Sequence, residues 1–299
     1  MLSLHTNAAA LSAQNSITRT QGSLSTSQTR LSTGFRINSA MDDAAGLQIA
    51  TRLKAQTSGM AVAMRNTQNS ISMLQTGEGA LDETTNILMR MKDLATQAAD
   101  GSSTANDQTA MQAEFDSLTS ELSNIMANTK FGGTALLTSG TGKLAVAVDF
   151  QIGASSSEKM NGDVSNELTA VHTDIAAAAT QYQGASGAAV AGVGTEISGA
   201  TAAAGATAAN ATIDKLATAI DTVGALRSKL GAISNRLDHV YNNLSNISTN
   251  TKAATGRIMD TDFATESSNM TSSQMLLQAG TAMLKQSNST SSLVMSLLQ

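Results

Sequence analysis

Three histidines and two small groups of carboxylates are the side chains of this 299-residue chain with the types for chemistry, and their spacing argues against it. His5, His172 and His239 stand far apart with no partner at metal-ligand spacing. Cysteine is absent, which removes thiol nucleophiles, disulfides and thiolate metal sites. No H-E-x-x-H, P-loop or G-x-S-x-G pattern occurs. Asp42-Asp43 and Asp260, Asp262 and Glu266 are the acidic candidates for general acid–base work. Both sets fall at the starts of apolar helical patterns, where carboxylates satisfy free amides and the positive end of the helix dipole. Capping is the expected chemistry. No catalytic, cofactor-binding or metal residue is predicted, no cofactor, and no enzyme activity.

The elements that carry these residues are long helices. Leu216, Val223, Leu230, Leu237 and Leu244 recur every seven residues, and Leu226, Ile233, Val240 and Ile247 form a second series. The alternating spacing of three and four puts both series on one helix face as a coiled-coil seam. His239 lies beside that seam and reads as a flanking surface residue. From Ile213 to Ile258 the helix would be about 70 Å long. In the N-terminal half Leu53, Met60, Thr67, Leu74, Leu81 and Leu88 are again seven apart, with Met64 and Ile71 beside them, which predicts a helix from Asp43 to Ala99. Met111, Phe115, Leu118, Leu122 and Ile125 mark a third helix, set antiparallel by the turn signal Asp100-Gly101-Ser102-Ser103.

The two ends repeat the habit more weakly. Ala10, Ile17, Leu24 and Leu31 are seven apart, as are Phe263, Met270, Leu277 and Leu284, with Leu276, Met283 and Leu297 alongside. Seams this sparse do not hold a lone helix in water. The termini are expected to be helical only when packed on each other and on neighbouring copies.

The middle differs in kind. Lys143–Ile152 alternates short apolar residues and reads as a strand, paired through Ser139–Gly142 with Phe131–Leu137 as a hairpin. From Ile175 to Ile213 the single charged residue is Glu196, in a stretch of Ala, Gly, Ser and Thr. A loose loop, a weak β segment and an Ala-rich helix all fit it.

Composition closes off other classes. Proline and tryptophan are absent, and the aromatic residues are 5 Phe and 2 Tyr, so nothing interrupts the helices and no aromatic core can form. There are 18 Lys+Arg against 23 Asp+Glu, a net charge of -5 without a basic run, which excludes nucleic acid as a partner. Charged residues make up 14%, against about 25% in ordinary soluble domains, and this weakly charged surface suits close packing between chains. No stretch approaches the ~18 apolar residues of a membrane span, so membrane insertion is not expected. The start of the chain lacks the basic and apolar regions of a secretory signal.

Thr29–Ala50, which includes Arg30-Leu31-Ser32-Thr33-Gly34-Phe35-Arg36-Ile37-Asn38 and Met41-Asp42-Asp43-Ala44-Ala45-Gly46-Leu47, resembles the N-terminal signature of bacterial flagellin. Leu226–Leu237 and Arg257–Ala264 resemble the C-terminal one. The resemblance covers about residues 1–153 and 206–299. It implies a mainly α fold: an elongated antiparallel helical coiled-coil rod with a small β-hairpin region, plus paired terminal helices. Residues 1–40 and 260–299 would be D0-like terminal helices of the filament core. Residues 41–153 and 206–259 would form a D1-like rod. Residues 154–205 would be an outer segment, small or loosely structured.

The same resemblance implies a structural subunit that self-assembles into the flagellar filament, secreted by the flagellar type III route. Its assembly residues would be Ile17, Leu24, Leu31, Leu276, Leu277, Leu284, Leu297 and Leu298. Its partners would be further copies of itself, an export chaperone, the filament cap and hook-junction proteins, and host flagellin receptors. A plant receptor epitope would lie at Arg30, Leu31, Ile37, Asn38, Asp42, Asp43, Gly46 and Leu47, where Phe35 and Met41 depart from the usual pattern. Arg90 and Leu94, with Glu114 on the antiparallel helix, would contact a vertebrate innate receptor. A hook–filament junction protein and a secreted type III helical tip or adhesin protein are the competing readings.

Overall fold

The computed structural model describes residues 7–184 and 192–297, with side chains as far as residue 289. Two compact units emerge: one from Met1–Thr57 with Ser248–Gln299, the other from Ser58–Ile247. The helices α2 (Ala44–Ala98) and α5 (Ala202–Met259) contribute residues to both.

The terminal unit pairs α1 (Ala8–Thr33) with α6 (Phe263–Leu297). Their direction is antiparallel, for Asn7 bonds Ser287 at one end and Arg30 faces Glu266 at the other, at 3.7 Å. Between them Gly280 lies so close to Ile17 that a Cβ there would come within 2.9 Å of Ile17 Cγ1. Asn7 caps α1 by accepting from the Ala10 amide, and Gly34, at φ 74°, closes it in the left-handed region that favours glycine. Beyond the cap, Phe35 bridges Asp260, the Arg36 amide donates to the Met259 carbonyl, and Ile37 packs with Ala50 and Met259. These contacts hold the start of α2 and the end of α5 to the terminal pair. The compact units therefore divide at 57/58 and 247/248, not at the expected 40/41 and 259/260.

In the second unit the two heptad seams meet one core. Leu74, Leu81, Leu88, Leu216, Val223, Leu226, Leu230 and Leu237 are all at most 1% exposed. Helix α3 (Ala105–Asn128) joins them through Phe115, Leu122 and Met126, and starts at a capping box between Thr104 and Asp107. Leu244 packs with Met60 and Ala63 in a smaller cluster.

The expected hairpin between 131–137 and 143–152 does not form. Phe131 pairs instead with Thr134, in the two-residue strands β1 (Lys130–Phe131) and β2 (Thr134–Ala135). Gly132 and Gly133, at φ 57° and 83°, supply the two left-handed positions that such a tight turn requires. Lys143–Ala145 is a single 3-10 turn, and β3 (Val148–Gln151) pairs forward with β4 (Lys159–Gly162).

The segment 154–205 is more ordered than a loose outer loop. It supplies β4 and α4 (Ser165–Ala178), whose Leu168, Val171, Ile175 and Ala178 are at most 1% exposed within the main core. Residues 185–191 of this segment lie outside the described residues.

Candidate functional site

Helix α6 carries two apolar faces. Met270, Leu277 and Leu284 are half-buried on the face that turns to α1, whose Ile17, Leu24 and Leu31 are half-buried in return. Met275, Leu276 and Met283 stand on a second stripe and are 59%, 62% and 69% exposed. The expected assembly residues thus separate into an internal pair of seams and an uncovered one, with Leu276 on the uncovered side. Leu297 and Leu298 fall outside the described side chains. Nothing in the heptad count marked Met275, which sits between heptad positions.

The α1–α2 corner gathers the expected epitope. Asp42 accepts from the Asn38 and Ser39 amides at 3.0 and 2.8 Å, and Asp43 caps α2 by accepting from the Gly46 amide at 2.8 Å. The Ser39 and Asn38 amides hold the Asp42 carboxyl below the usual carboxylate range. Asn38 Nδ2 donates to the Phe35 carbonyl, and Lys54 Nζ lies 5.1 Å above the Phe35 ring. Ile37 and Gly46 are buried, Arg30, Leu31, Asp43 and Leu47 half-buried, and Asn38 and Asp42 exposed. Met41 is 96% exposed. At α6, Asp262 caps the helix by accepting from the Ala264 amide, whereas Glu266 pairs with Arg30. Of the acid–base candidates, Asp43 and Asp262 cap helices, Asp42 closes the turn before α2, Glu266 pairs with Arg30, and Asp260 bridges Phe35 through its backbone.

On the second unit Arg90 and Glu114 join α2 to α3 at the surface. Leu94 does not share that surface: it is 2% exposed and belongs to the core. On a helix with core positions at 88, 91, 94, 95 and 98, Arg90 falls just past the edge of the buried stripe and Leu94 just inside it. The exposed pair on this surface is Arg90 with Glu114; Met89, 46% exposed, lies on the neighbouring side of α2.

Two polar clusters, one buried and one half-buried, carry no signal in the residue spacing. His172 Nε2 donates to the Leu137 carbonyl at 2.7 Å, while Nδ1 accepts from the Tyr182 hydroxyl at 2.6 Å. Burial lowers the His172 pKa and raises that of Tyr182 far above its ordinary value. The second cluster centres on Glu196. Its carboxylate accepts from the Thr180 amide and hydroxyl and from Gln112 Nε2, which also donates to Asp116. Burial alone would raise the Glu196 pKa, but the Thr180 bonds, its own amide and Gln112 outweigh it, so the carboxyl sits below its ordinary range. Both clusters tie the middle segment to the helices, through the bonds just named. Among the described residues no group of three or more His, Cys, Asp or Glu could hold a metal ion, and no helix is long and apolar enough to cross a membrane.

Comparison with known proteins finds a family match at both ends of the chain. The family model for the bacterial flagellin N-terminal helical region matches residues 4–143, and that for the C-terminal helical region matches residues 213–298. Polar flagellin F of Vibrio parahaemolyticus is 48% identical over 173 residues, covering 58% of this chain and 44% of its own length. Flagellin A of Vibrio cholerae is 49% identical over 157 residues, covering 52% and 40%. The chain therefore spans less than half the length of these curated relatives. A solved structure described as a flagellar hook-associated protein from Vibrio parahaemolyticus superposes with a TM-score of 0.53 over 73% of this chain and all of its own, at 16% identity, a likeness of fold alone.

Proposed function

The chain belongs to the bacterial flagellin family, and from that premise we propose that it is a structural subunit of the flagellar filament, without catalytic activity, built in by packing of its terminal helices against neighbouring copies. The observation that carries this reading is the uncovered stripe of α6, where Met275, Leu276 and Met283 remain exposed although the opposite face of the helix is already packed. Burying such side chains fully contributes about 1.5–3 kcal/mol each. Ordering the chain costs about 1–2 kcal/mol per residue. One neighbour cannot offset that cost over a 35-residue helix, whereas a lattice of neighbours can.

Several finer readings go with it. The stripe needs cover before export, which fits a dedicated chaperone, and secretion follows the flagellar type III route to an extracellular filament capped at its tip and joined to the hook by junction proteins. The α1–α2 corner is the plant receptor epitope. Arg90 and Glu114 form a contact for a vertebrate innate receptor, read from monomers. The test of the main reading is direct: purified protein added to filament seeds should give micrometre-long filaments in negative-stain images. A protein that stays monomeric on seeds at every concentration and salt tried would sink it.

A further inference from the structure

Resting on the reading that neighbouring copies cover the free stripe of α6, we propose that Met275 and Met283 are oxidation sites through which a peroxide blocks subunit addition. The chain has no cysteine, so its 15 methionine thioethers are its most oxidisable groups. Burial sorts them. Met60, Met91, Met126, Met160 and Met259 are at most 5% exposed, whereas Met275 and Met283 are 59% and 69% exposed. Met283 lies seven residues from Leu276 and so shares its side of the helix, while Met275, eight residues before Met283, stands at the edge of the same stripe.

The chemistry needs only the peroxide. The thioether sulfur attacks the O–O bond and takes one oxygen, rising by two electrons to the sulfoxide, while hydrogen peroxide is reduced to one water. No other group gains or loses a proton. The product is a strong acceptor with no proton to give, on a surface that must be buried against apolar side chains, where an unpartnered polar group is penalised. Reversal by methionine sulfoxide reductase consumes two thiols, yields a disulfide and water, and restores the thioether. Met41 and Met89 are exposed as well, at 96% and 46%, but they belong to the α1–α2 corner and to the second unit, and neither is part of the stripe.

The experiment follows seeded elongation of the full chain by light scattering and electron microscopy, with sulfoxides mapped by peptide mass spectrometry. Untreated wild type should elongate; its failure would reject the assembly reading itself and not the oxidation site. Hydrogen peroxide treatment should slow elongation by roughly tenfold or more, and reductase with dithiothreitol should restore it. Read against its own untreated rate, whatever that rate is, Met275→Leu with Met283→Leu should not slow with peroxide, while Met41→Leu with Met89→Leu should stay sensitive. Met275→Gln with Met283→Gln, which mimics the polarity of the sulfoxide, should be slow without oxidant. Unchanged elongation of oxidised wild type, full sensitivity in the leucine pair, or wild-type elongation by the glutamine pair would each overturn the proposal.

Discussion

Arg90 donates to Glu114 Oε1 twice, through Nε at 3.0 Å and Nη2 at 2.7 Å, so that one carboxylate oxygen takes the guanidinium edge across two helices. The side chains are 55% and 46% exposed, which makes the pair worth about 0–1 kcal/mol. A fixed, exposed guanidinium is more useful for recognition than for stability.

Arg90→Ala should therefore leave the melting temperature nearly unchanged and lower signalling through the vertebrate flagellin receptor. Leu94→Ala should behave differently, costing about 2–5 kcal/mol of stability because it opens a cavity in the core. Thermal melts and a receptor reporter assay on monomeric protein separate the two. Equal signalling by Arg90→Ala and wild type at matched stability would remove Arg90 from the contact.

Truncation from Gly280 onward should abolish polymerisation while leaving the second unit folded. That unit keeps its own core, from Leu74 to Leu237, whereas the truncated α6 loses Met283 from the free stripe and Leu284 from the packed one. Circular dichroism and seeded growth test both halves; filaments from the truncated chain would refute the first, and loss of a cooperative melt the second.

At the α1–α2 corner, Met41→Lys should leave folding unaffected, since the side chain is 96% exposed. A synthetic peptide of residues 29–50 should give a weaker oxidative burst in plant tissue than the same peptide with Met41→Lys. Equal potency would show that a cation at this position is irrelevant; inactivity of both would reject the epitope.

The second unit should lose stability as the solution is acidified from neutrality, before its carboxylates titrate. His172 has its pKa lowered from 6.5 by burial, so the unfolded chain binds a proton at a pH where the folded one does not. Its contribution is fully present above about pH 6.5 and is lost as pH falls towards the folded value, with a slope of up to about 1.4 kcal/mol per pH unit. The lowered carboxyls, Glu196 among them, lose theirs only below their ordinary range near 4.5. His172→Gln should flatten the melting temperature between pH 7 and 5. An unchanged slope in that variant would assign the acid effect elsewhere.

The long helices were legible because leucine repeats report burial directly: Leu216, Val223, Leu230 and Leu237, read as a seam, are at most 1% exposed. The strand pairing was not, because alternation in 143–152 marks a strand but not its partner, which the turn at Gly132-Gly133 decides. Leu94 was misplaced by a spacing rule that holds for neighbours on a surface yet says nothing of where the buried stripe ends. The order in residues 165–178 was present in Leu168, Val171 and Ile175, at spacings of three and four, but the Ala- and Gly-rich run that follows obscured it. His172 gave no signal, since its partners are a backbone carbonyl and a tyrosine ten residues away.

Along α1, the hydroxyls of Thr18, Thr20, Ser23, Thr26, Thr29 and Thr33 each donate to the carbonyl four residues back. A hydroxyl has one proton to give, and here it is spent within the helix. What such a surface offers a neighbouring helix is methyl groups and oxygen lone pairs, with few directional donors to match. A neighbouring helix that packs on these hydroxyls therefore meets acceptors there rather than free hydroxyl protons.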